Sequence, residues 1–431
     1  MKTIVSLTTP AGNSGVAVIR ISGEESKQVL QKLIRQGLDF EPRKMYLKTV
    51  YFGELTDKCL VVFFKSPFSF TGEDVAEIHS HGGYYIAQQI INECVNLGCS
   101  LAEAGEFSKR AFINGKMSID QAEGIMDLIN AESEMQAKAG SSLMQGKLKQ
   151  KIDEYQNTLT EILAEIEAKL DYPEYEYTEN ETSNIKSKLE NLIKEFDSLI
   201  NESKSGLMIK NGIKIAIVGA PNVGKSSLLN ALTKSDKAIV TNIAGTTRDV
   251  VEAEYEFKGI IFRLFDTAGI HESNDVVERI GIDKALKTLE DADLVLKISS
   301  PDDICEIKTD KPYIDVFNKT DVLKVKKDKK YFYISATNNE NIDNLKQEIF
   351  NKTISDSLKS DKLYLTNTRH IEAIKQAKTS LQNVINIFNF TTMDIVSTEI
   401  KDAWNSLGEV SGVTSDEAII DKIFSKFCLG K

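Results

Sequence analysis

Cysteine is sparse in this chain of 431 residues. Cys59, Cys94, Cys99, Cys305 and Cys428 are odd in number, scattered, and form no C-x-x-C pair. That argues against a disulfide framework and points to a reducing cytoplasm. Long apolar runs are missing too. None approaches the length of a membrane span, and Met1-Lys-Thr-Ile-Val-Ser6 lacks the apolar core of a signal peptide, so the expectation is a cytoplasmic protein with no membrane role. Positive charge is also short: 53 Lys and Arg face 64 Asp and Glu, a net charge of −11. Broad electrostatic capture of nucleic acid is therefore disfavoured, and any RNA partner has to meet a local patch. The length allows two or three domains with real cores.

What is present centres on Gly219-Ala-Pro-Asn-Val-Gly-Lys-Ser226, which fits G-x-x-x-x-G-K-[ST]. The apolar run Ile213 to Val218 precedes it as a strand, and Ser227-Leu-Leu-Asn-Ala-Leu232 reads as the start of a helix. In that context the N–H groups of Asn222, Val223, Gly224 and Lys225 cradle phosphates at a helix N-terminus. Lys225 adds a point charge there, and the Ser226 hydroxyl suits Mg²⁺.

Further signals follow in order. Asp266-Thr-Ala-Gly269 closes the strand-like Ile260 to Phe265, with Asp266 on Mg²⁺ through water and the Gly269 N–H toward the γ-phosphate. Asn318-Lys-Thr-Asp321 follows the strand Tyr313 to Phe317. The Asp321 carboxylate accepts two hydrogen bonds from the N1–H and N2–H₂ edge of guanine, a pair adenine does not offer. Ser335-Ala-Thr337, after Tyr331 to Ile334, matches the loop that backs the base. Gly245-Thr-Thr-Arg-Asp249 lies between the phosphate loop and Asp266, where Thr247 completes the Mg²⁺ shell. Together these predict a GTP-binding domain. Ile270 stands where Ras-like GTPases carry the water-orienting glutamine, so hydrolysis has to recruit another group. Glu272, Asp275 and Glu278 are all placed to supply it. Arg248 or a monovalent cation on the Asn222 carbonyl would replace an arginine finger. The basic run Lys324-Val-Lys-Lys-Asp-Lys-Lys330 reads as a solvated loop.

Around this domain the pattern changes. Residues 1 to 115 alternate short β-like runs (Gly15 to Ile21, Leu47 to Phe52, Leu60 to Phe64) with helical ones (Glu25 to Ile34, Tyr84 to Leu97), an α+β pattern. His79-Ser-His81 invites a metal reading, but no third ligand is evident, and packing or hydrogen bonding accounts for it better. From Ser118 to Ser205 the period is helical, with stripes at Leu159, Ile162, Leu163, Ile166, Leu170 and at Leu189, Leu192, Ile193, Phe196, separated at Pro173. It returns at Ile371, Ile374, Leu381, Val384, Ile385 and Phe388. Two striped segments that flank the nucleotide domain predict one helical bundle with that domain inserted. Near the end, Ile419, Ile423, Phe424 and Phe427 form a stripe that pins the tail, and Cys428 beside a lysine is a candidate reactive thiol.

These residues resemble the MnmE/TrmE family of tRNA uridine-modification GTPases along the whole chain. The match rests on Gly15-Val-Ala-Val-Ile-Arg-Ile-Ser-Gly23, Phe70-Thr-Gly-Glu-Asp74, Gly105-Glu-Phe-Ser108, the inserted GTPase motifs and the terminal Cys428-Leu-Gly-Lys431. The sequence departs from the family pattern at His79-Ser80 and at Thr337. The resemblance implies four segments: an α+β folate-binding and dimerisation domain (1–116), a helical domain (117–209 and 355–431), and an inserted Ras-like P-loop GTPase domain (210–354). It implies nucleotide contacts from Asn222, Val223, Gly224, Lys225, Ser226 and Ser227, and from Thr241, Asn242, Ile243, Ala244, Gly245, Thr246 and Thr247. Asp266, Thr267, Ala268 and Gly269, with Asn318, Lys319, Asp321, Ser335, Ala336 and Thr337, complete the GTP set. It further implies K⁺ on Asn222, Thr241, Ile243 and Thr246, with Mg²⁺ on Ser226 and Thr247. Glu278 is then the catalytic glutamate, and Arg20, Glu77, Lys116 and Lys431 are the contacts for a 5-formyl- or methylene-tetrahydrofolate. Family members act as homodimers and join an FAD-dependent partner of the MnmG/GidA type in a heterotetramer. They build a 5-carboxymethylaminomethyl-type group on the wobble uridine of certain tRNAs. Cys428 matches the family cysteine. The rival expectation, a regulatory GTPase of ribosome assembly, calls for a basic RNA-binding appendage, and residues 356–431 hold nine Lys and Arg against ten Asp and Glu.

Overall fold

The computed structural model describes residues 1–171, 178–233, 253–266, 287–322, 328–354, 363–388, 391–427 and 430. It divides into two compact units, one of Met1–Met126, Leu143–Ile185 and Thr379–Lys431, the other of Asp127–Ser142 and Lys186–Lys378.

The first unit is built on a six-stranded sheet. In chain order its strands are β1 (Ile4–Leu7), β2 (Val16–Ser22), β3 (Met45–Phe52), β4 (Leu55–Phe64), β5 (Val75–His81) and β6 (Ser100–Leu101), arranged β3-β4-β5-β2-β1-β6. All pairs are antiparallel except β1 with β6. Alternation explains its two faces. Ala17, Ile19 and Ile21 of β2 and Ala76 and Ile78 of β5 are buried, and they pack with Val29, Leu30 and Leu33 of α1 (Ser26–Leu33) and with Ile90 and Cys94 of α2 (Tyr84–Asn96). Arg20 and Glu77 share the opposite face, directly paired across β2 and β5.

The helical pieces of this unit follow the apolar period. α3 (Glu106–Ile113) and α4 (Ile119–Ile129) precede α6 (Lys147–Asp171), which packs against α11 (Met393–Ser411). Ile152, Leu159, Ile162 and Ile166 face that contact buried, as do Val396, Ile400, Ala403 and Leu407. Each such aliphatic side chain contributes about 1.5–3 kcal/mol of burial free energy. Leu170, predicted to continue the stripe, is 44% exposed at the end of α6.

The tail corrects one expectation. In α12 (Glu417–Phe424) Ile419 is exposed, and Ile420 takes its place beside Ile423, Phe424 and Phe427 against Ala122 and Phe112. Periods of three and four both fit the sequence there, and only the partner surface selects between them. Farther on, Gly430 (φ +90°) lies so close to β1 that a Cβ would meet the Leu7 carbonyl oxygen at 2.1 Å. Only glycine fits that approach.

The second unit holds the other sheet: β7 (Ile213–Val218), β8 (Ala253–Phe257), β9 (Ile260–Asp266), β10 (Leu294–Ser299), β11 (Tyr313–Phe317) and β12 (Phe332–Tyr333), in the order β12-β11-β10-β7-β9-β8. Five strands run parallel and β8 is an antiparallel edge. The central strands are buried on both faces, which is why β7 and β10 read as near-continuous apolar runs. α8 (Lys225–Thr233) and α9 (Ile342–Thr353) cover this sheet, and the core runs through Ile215, Leu228, Phe262, Leu296 and Leu345. The same unit contains most of α5 (Glu134–Met144), the greater part of α7 (Glu179–Asn211) and the start of α10 (Thr368–Ile387). The dividing lines thus fall inside α4, α5, α7 and α10.

Candidate nucleotide site

In an open parallel sheet, ligands bind outside the carboxyl ends of the strands. The motif residues all emerge there. β7 runs into the phosphate loop, β9 ends on Asp266, β11 is followed by Asn318, and Ser335 comes two residues after β12. Ile217 and Asp266 are register partners on adjacent strands, which sets the carboxylate beside the loop.

Within the loop Lys225 Nζ donates to the carbonyls of Gly219 (2.8 Å) and Ala220 (3.5 Å), so the ammonium lies along the cradle. Val223 is fully buried and anchors the turn, whereas Asn222, Ser226 and Ser227 are exposed. Asn222 has φ +66°, a left-handed conformation that asparagine tolerates better than most residues. α8 begins at Lys225, two residues before the predicted start, so the N–H groups of its first turn point at the loop.

Asn318 ties the loop to the base-recognition segments. Its Nδ2 donates to the Val223 carbonyl (3.0 Å), and its Oδ1 accepts from the Ala336 N–H (3.0 Å). A Cβ on Gly224 (φ +97°) would sit 2.3 Å from Asn318 Nδ2, so the second glycine of the motif makes room for this clamp. The Ser335 hydroxyl donates to Asp321 Oδ1 at 2.6 Å and Thr320 Oγ1 donates to the Ile334 carbonyl, holding Asp321 outward and exposed. Thr337 is exposed beside it, and Lys319 Nζ is 3.8 Å from Asp302.

A divalent cation fits the remaining polar atoms. Asp266 Oδ1 is buried with no hydrogen-bond partner among the described residues. Burial pushes its carboxyl above the usual range, and the Lys225 charge opposes that without overcoming it. Ser226, at the start of α8, supplies a hydroxyl. The predicted Thr241, Asn242, Ile243, Ala244, Gly245, Thr246, Thr247 and Arg248 lie outside the described residues, as do Thr267, Ala268, Gly269, Ile270, Glu272, Asp275, Glu278, Cys428 and Lys431.

A second polar site stands on the sheet of the first unit. Arg20 Nε is 2.9 Å from Glu77 Oε1, and its guanidinium lies 5.1 Å from the Phe70 ring centroid and 5.6 Å from that of Phe107. Burial alone would raise the Glu77 carboxyl, but the His79 hydrogen bond and the Arg20 charge outweigh it and hold it low. The loop carrying Phe70 also receives Lys116, whose Nζ donates to the Pro67 carbonyl (2.9 Å). Phe70 and Phe107 are neighbours of Arg20 that the sequence supplied only as parts of family motifs, without a role.

The histidines are accounted for individually. His79 Nε2 pairs with Glu77 Oε2 (3.3 Å) and His81 Nδ1 with Asp57 Oδ1 (2.6 Å). Among the described residues no group of three or more His, Cys, Asp or Glu is placed to hold a metal. No helix among them is long and apolar enough to cross a membrane.

Comparison with known proteins agrees with this geometry. Residues 3–116 match the family model described as the GTP-binding protein TrmE N-terminus, and residues 119–428 match the MnmE helical domain. The tRNA modification GTPase MnmE of Thermotoga maritima is 38% identical over 100% of both chains. That of Mesoplasma florum is 40% identical, covering 100% of this chain and 99% of its own. Among solved structures, the FeoB G-domain of Methanococcus jannaschii is 27% identical over 32% of this chain and 94% of its own, with a TM-score of 0.26. A P-loop whose lysine, serine and facing aspartate suit a Mg²⁺-bound nucleotide, a carboxylate set for guanine, and full-length relatives of this kind lead to one conclusion: the chain belongs to the MnmE family of tRNA modification GTPases and is a GTP hydrolase acting in tRNA modification.

Proposed function

We propose that this GTPase depends on K⁺ and works as a homodimer in the cytoplasm. In a heterotetramer with an FAD-dependent partner of the MnmG/GidA type, it forms the 5-carboxymethylaminomethyl-type group on wobble uridine from a tetrahydrofolate one-carbon unit. The domain limits proposed are 1–116, 117–209, 210–354 and 355–431. The observation that carries the reading is the exposed, left-handed Asn222 at the rim of a loop otherwise closed by buried Val223 and by Asn318. Its exposed side-chain carbonyl would ligate a monovalent ion, together with Thr241, Ile243 and Thr246. A K⁺ held there would supply the positive charge for the transition state that an arginine side chain would otherwise bring. Ser226, Thr247 and Asp266 would hold Mg²⁺, which would offset the charge that develops on the phosphates.

The folate reading draws support from Gly430. It is seated against Leu7, on the strand whose Ser6 pairs with Arg20. Glu77 accepts hydrogen bonds there and is held low enough to remain an anion, which suits a pterin edge of N–H donors. Arg20 and the half-buried Phe70 offer flat faces for the ring, and the buried Phe107 backs the guanidinium. Cys428 stays a candidate for the modification chemistry.

Glu278 is proposed to orient the attacking water in place of the residue that Ile270 is not. In Glu278→Ala, single-turnover GTP hydrolysis is expected to slow by about 100-fold, with nucleotide affinity within about twofold of the unaltered chain. A variant that loses nucleotide binding in a fluorescent-nucleotide titration contradicts that role.

A further inference from the structure

We propose that a groove at the edge of the nucleotide-binding sheet, away from the phosphate loop, grips an unpaired segment of tRNA. It lies between the start of β11, the residues leading into β12, and the end of α9, and encloses about 770 Å³. Tyr313 and Tyr331 line it, and each ring packs against neighbouring side chains. The Lys297 ammonium, on a nearly buried side chain, sits 3.7 Å from the Tyr313 ring centroid, and Lys352 Nζ donates to the Tyr313 carbonyl (2.8 Å). Tyr331 meets Phe317 edge-on at 5.6 Å and Tyr333 at 6.3 Å. Tyr313 is nevertheless 41% exposed. An aromatic face fixed before binding loses little entropy when a base stacks on it.

The charges around these rings suit a nucleic acid with open bases. Lys311, Lys329, Lys330 and Lys352 line the same groove, with Lys330 Nζ 5.2 Å from the Tyr331 ring, so phosphate-binding cations stand beside the stacking faces. Asp310, Asp315 and Glu348 line it as well. On a duplex they would only repel the backbone. Beside an unpaired base they accept from exocyclic amino groups and from ring N–H groups. In a chain of net charge −11 an RNA has to find a local positive site, and the basic run of the sequence ends here, at Lys329 and Lys330. The family's work on tRNA names the class of RNA; the groove adds direct contact by this domain.

The test measures anisotropy of a labelled, unmodified tRNA transcript with the full chain over a range of KCl concentrations. Tyr313→Ala is expected to weaken binding about tenfold with the salt slope unchanged. Lys330→Ala is expected to weaken it and flatten the slope by about 0.7. Tyr313→Phe, which keeps the ring, is expected to bind as the unaltered chain does. A duplex RNA of equal length is expected to bind weakly and with no sensitivity to Tyr313. GTP turnover without RNA reports folding of the domain and is expected to be unchanged in all three variants. Equal tRNA affinity of Tyr313→Ala and the unaltered chain, no measurable binding by the unaltered chain, or duplex binding that falls in parallel each overturns the proposal.

Discussion

Asp321→Asn is expected to weaken GTP binding by at least about 100-fold, since two charge-assisted hydrogen bonds, each about 1.5–3 kcal/mol, are lost. Asp321 is exposed, with one oxygen held by the Ser335 hydroxyl at 2.6 Å, so its orientation is fixed before the base arrives. The Asn318 clamp on Val223 and Ala336 makes the surrounding loop rigid as well. The loss should therefore fall on recognition and leave the fold alone. In the variant an amide N–H₂ would face the guanine N2–H₂, setting donor against donor. Xanthine carries a carbonyl at that carbon, so a xanthine nucleotide is expected to bind the variant more tightly than GTP does. Competition titration with both nucleotides reads this reversal directly. GTP affinity within about threefold of the unaltered chain would remove Asp321 from base recognition.

Lys225→Ala is expected to lower kcat/KM for GTP by about 10³-fold, because it removes both ground-state phosphate binding and charge placed for the transition state. Two carbonyls of the loop position the ammonium, so its orientation is prepared in the protein itself. The neighbouring Asp266 should respond too. Burial raises its carboxyl and Lys225 is the group that opposes the rise, so the variant leaves burial unopposed and shifts the carboxyl further upward. Activity remaining in the variant is accordingly expected to fall off at a higher pH on the acid side. Lys225 makes its described bonds to loop carbonyls and is only half-buried, so urea denaturation should move little. A large loss of stability would mean that the kinetic effect reports unfolding.

The sequence disclosed most where burial is two-sided. β7 begins and ends where its apolar run does, at Ile213–Val218, because the central parallel strands of this sheet are covered on both faces, and the half-buried β11 keeps its expected bounds of Tyr313–Phe317. The order of phosphate loop, Asp266, Asn318 and Ser335 was legible for a related reason, since each sits at the end of a strand that could be read. Partner choice was not legible. A stripe such as Leu159, Ile162 and Ile166 says that a face is buried but not that α11 buries it. The same limit hid the swap of Ile419 for Ile420 in α12 and the division of the helical segments between two compact units. Pairs distant in sequence stayed hidden as well: nothing local links Asp57 to His81, or Phe107 to Arg20. The Asn318 clamp could have been suspected from the chemistry of an amide that can donate and accept at once, but its partners are 95 and 18 residues away.

The most direct measurement is GTP turnover by the purified chain in K⁺ against Na⁺ at equal ionic strength, so that general screening is the same in both. Turnover at least about tenfold faster in K⁺ is expected, corresponding to one well-placed charge interaction in the transition state. Asn222→Ala is expected to erase the difference, leaving both salts at the slow rate. Equal and slow turnover of the unaltered chain in the two salts would contradict a cation site at Asn222 and assign the missing positive charge to a partner protein.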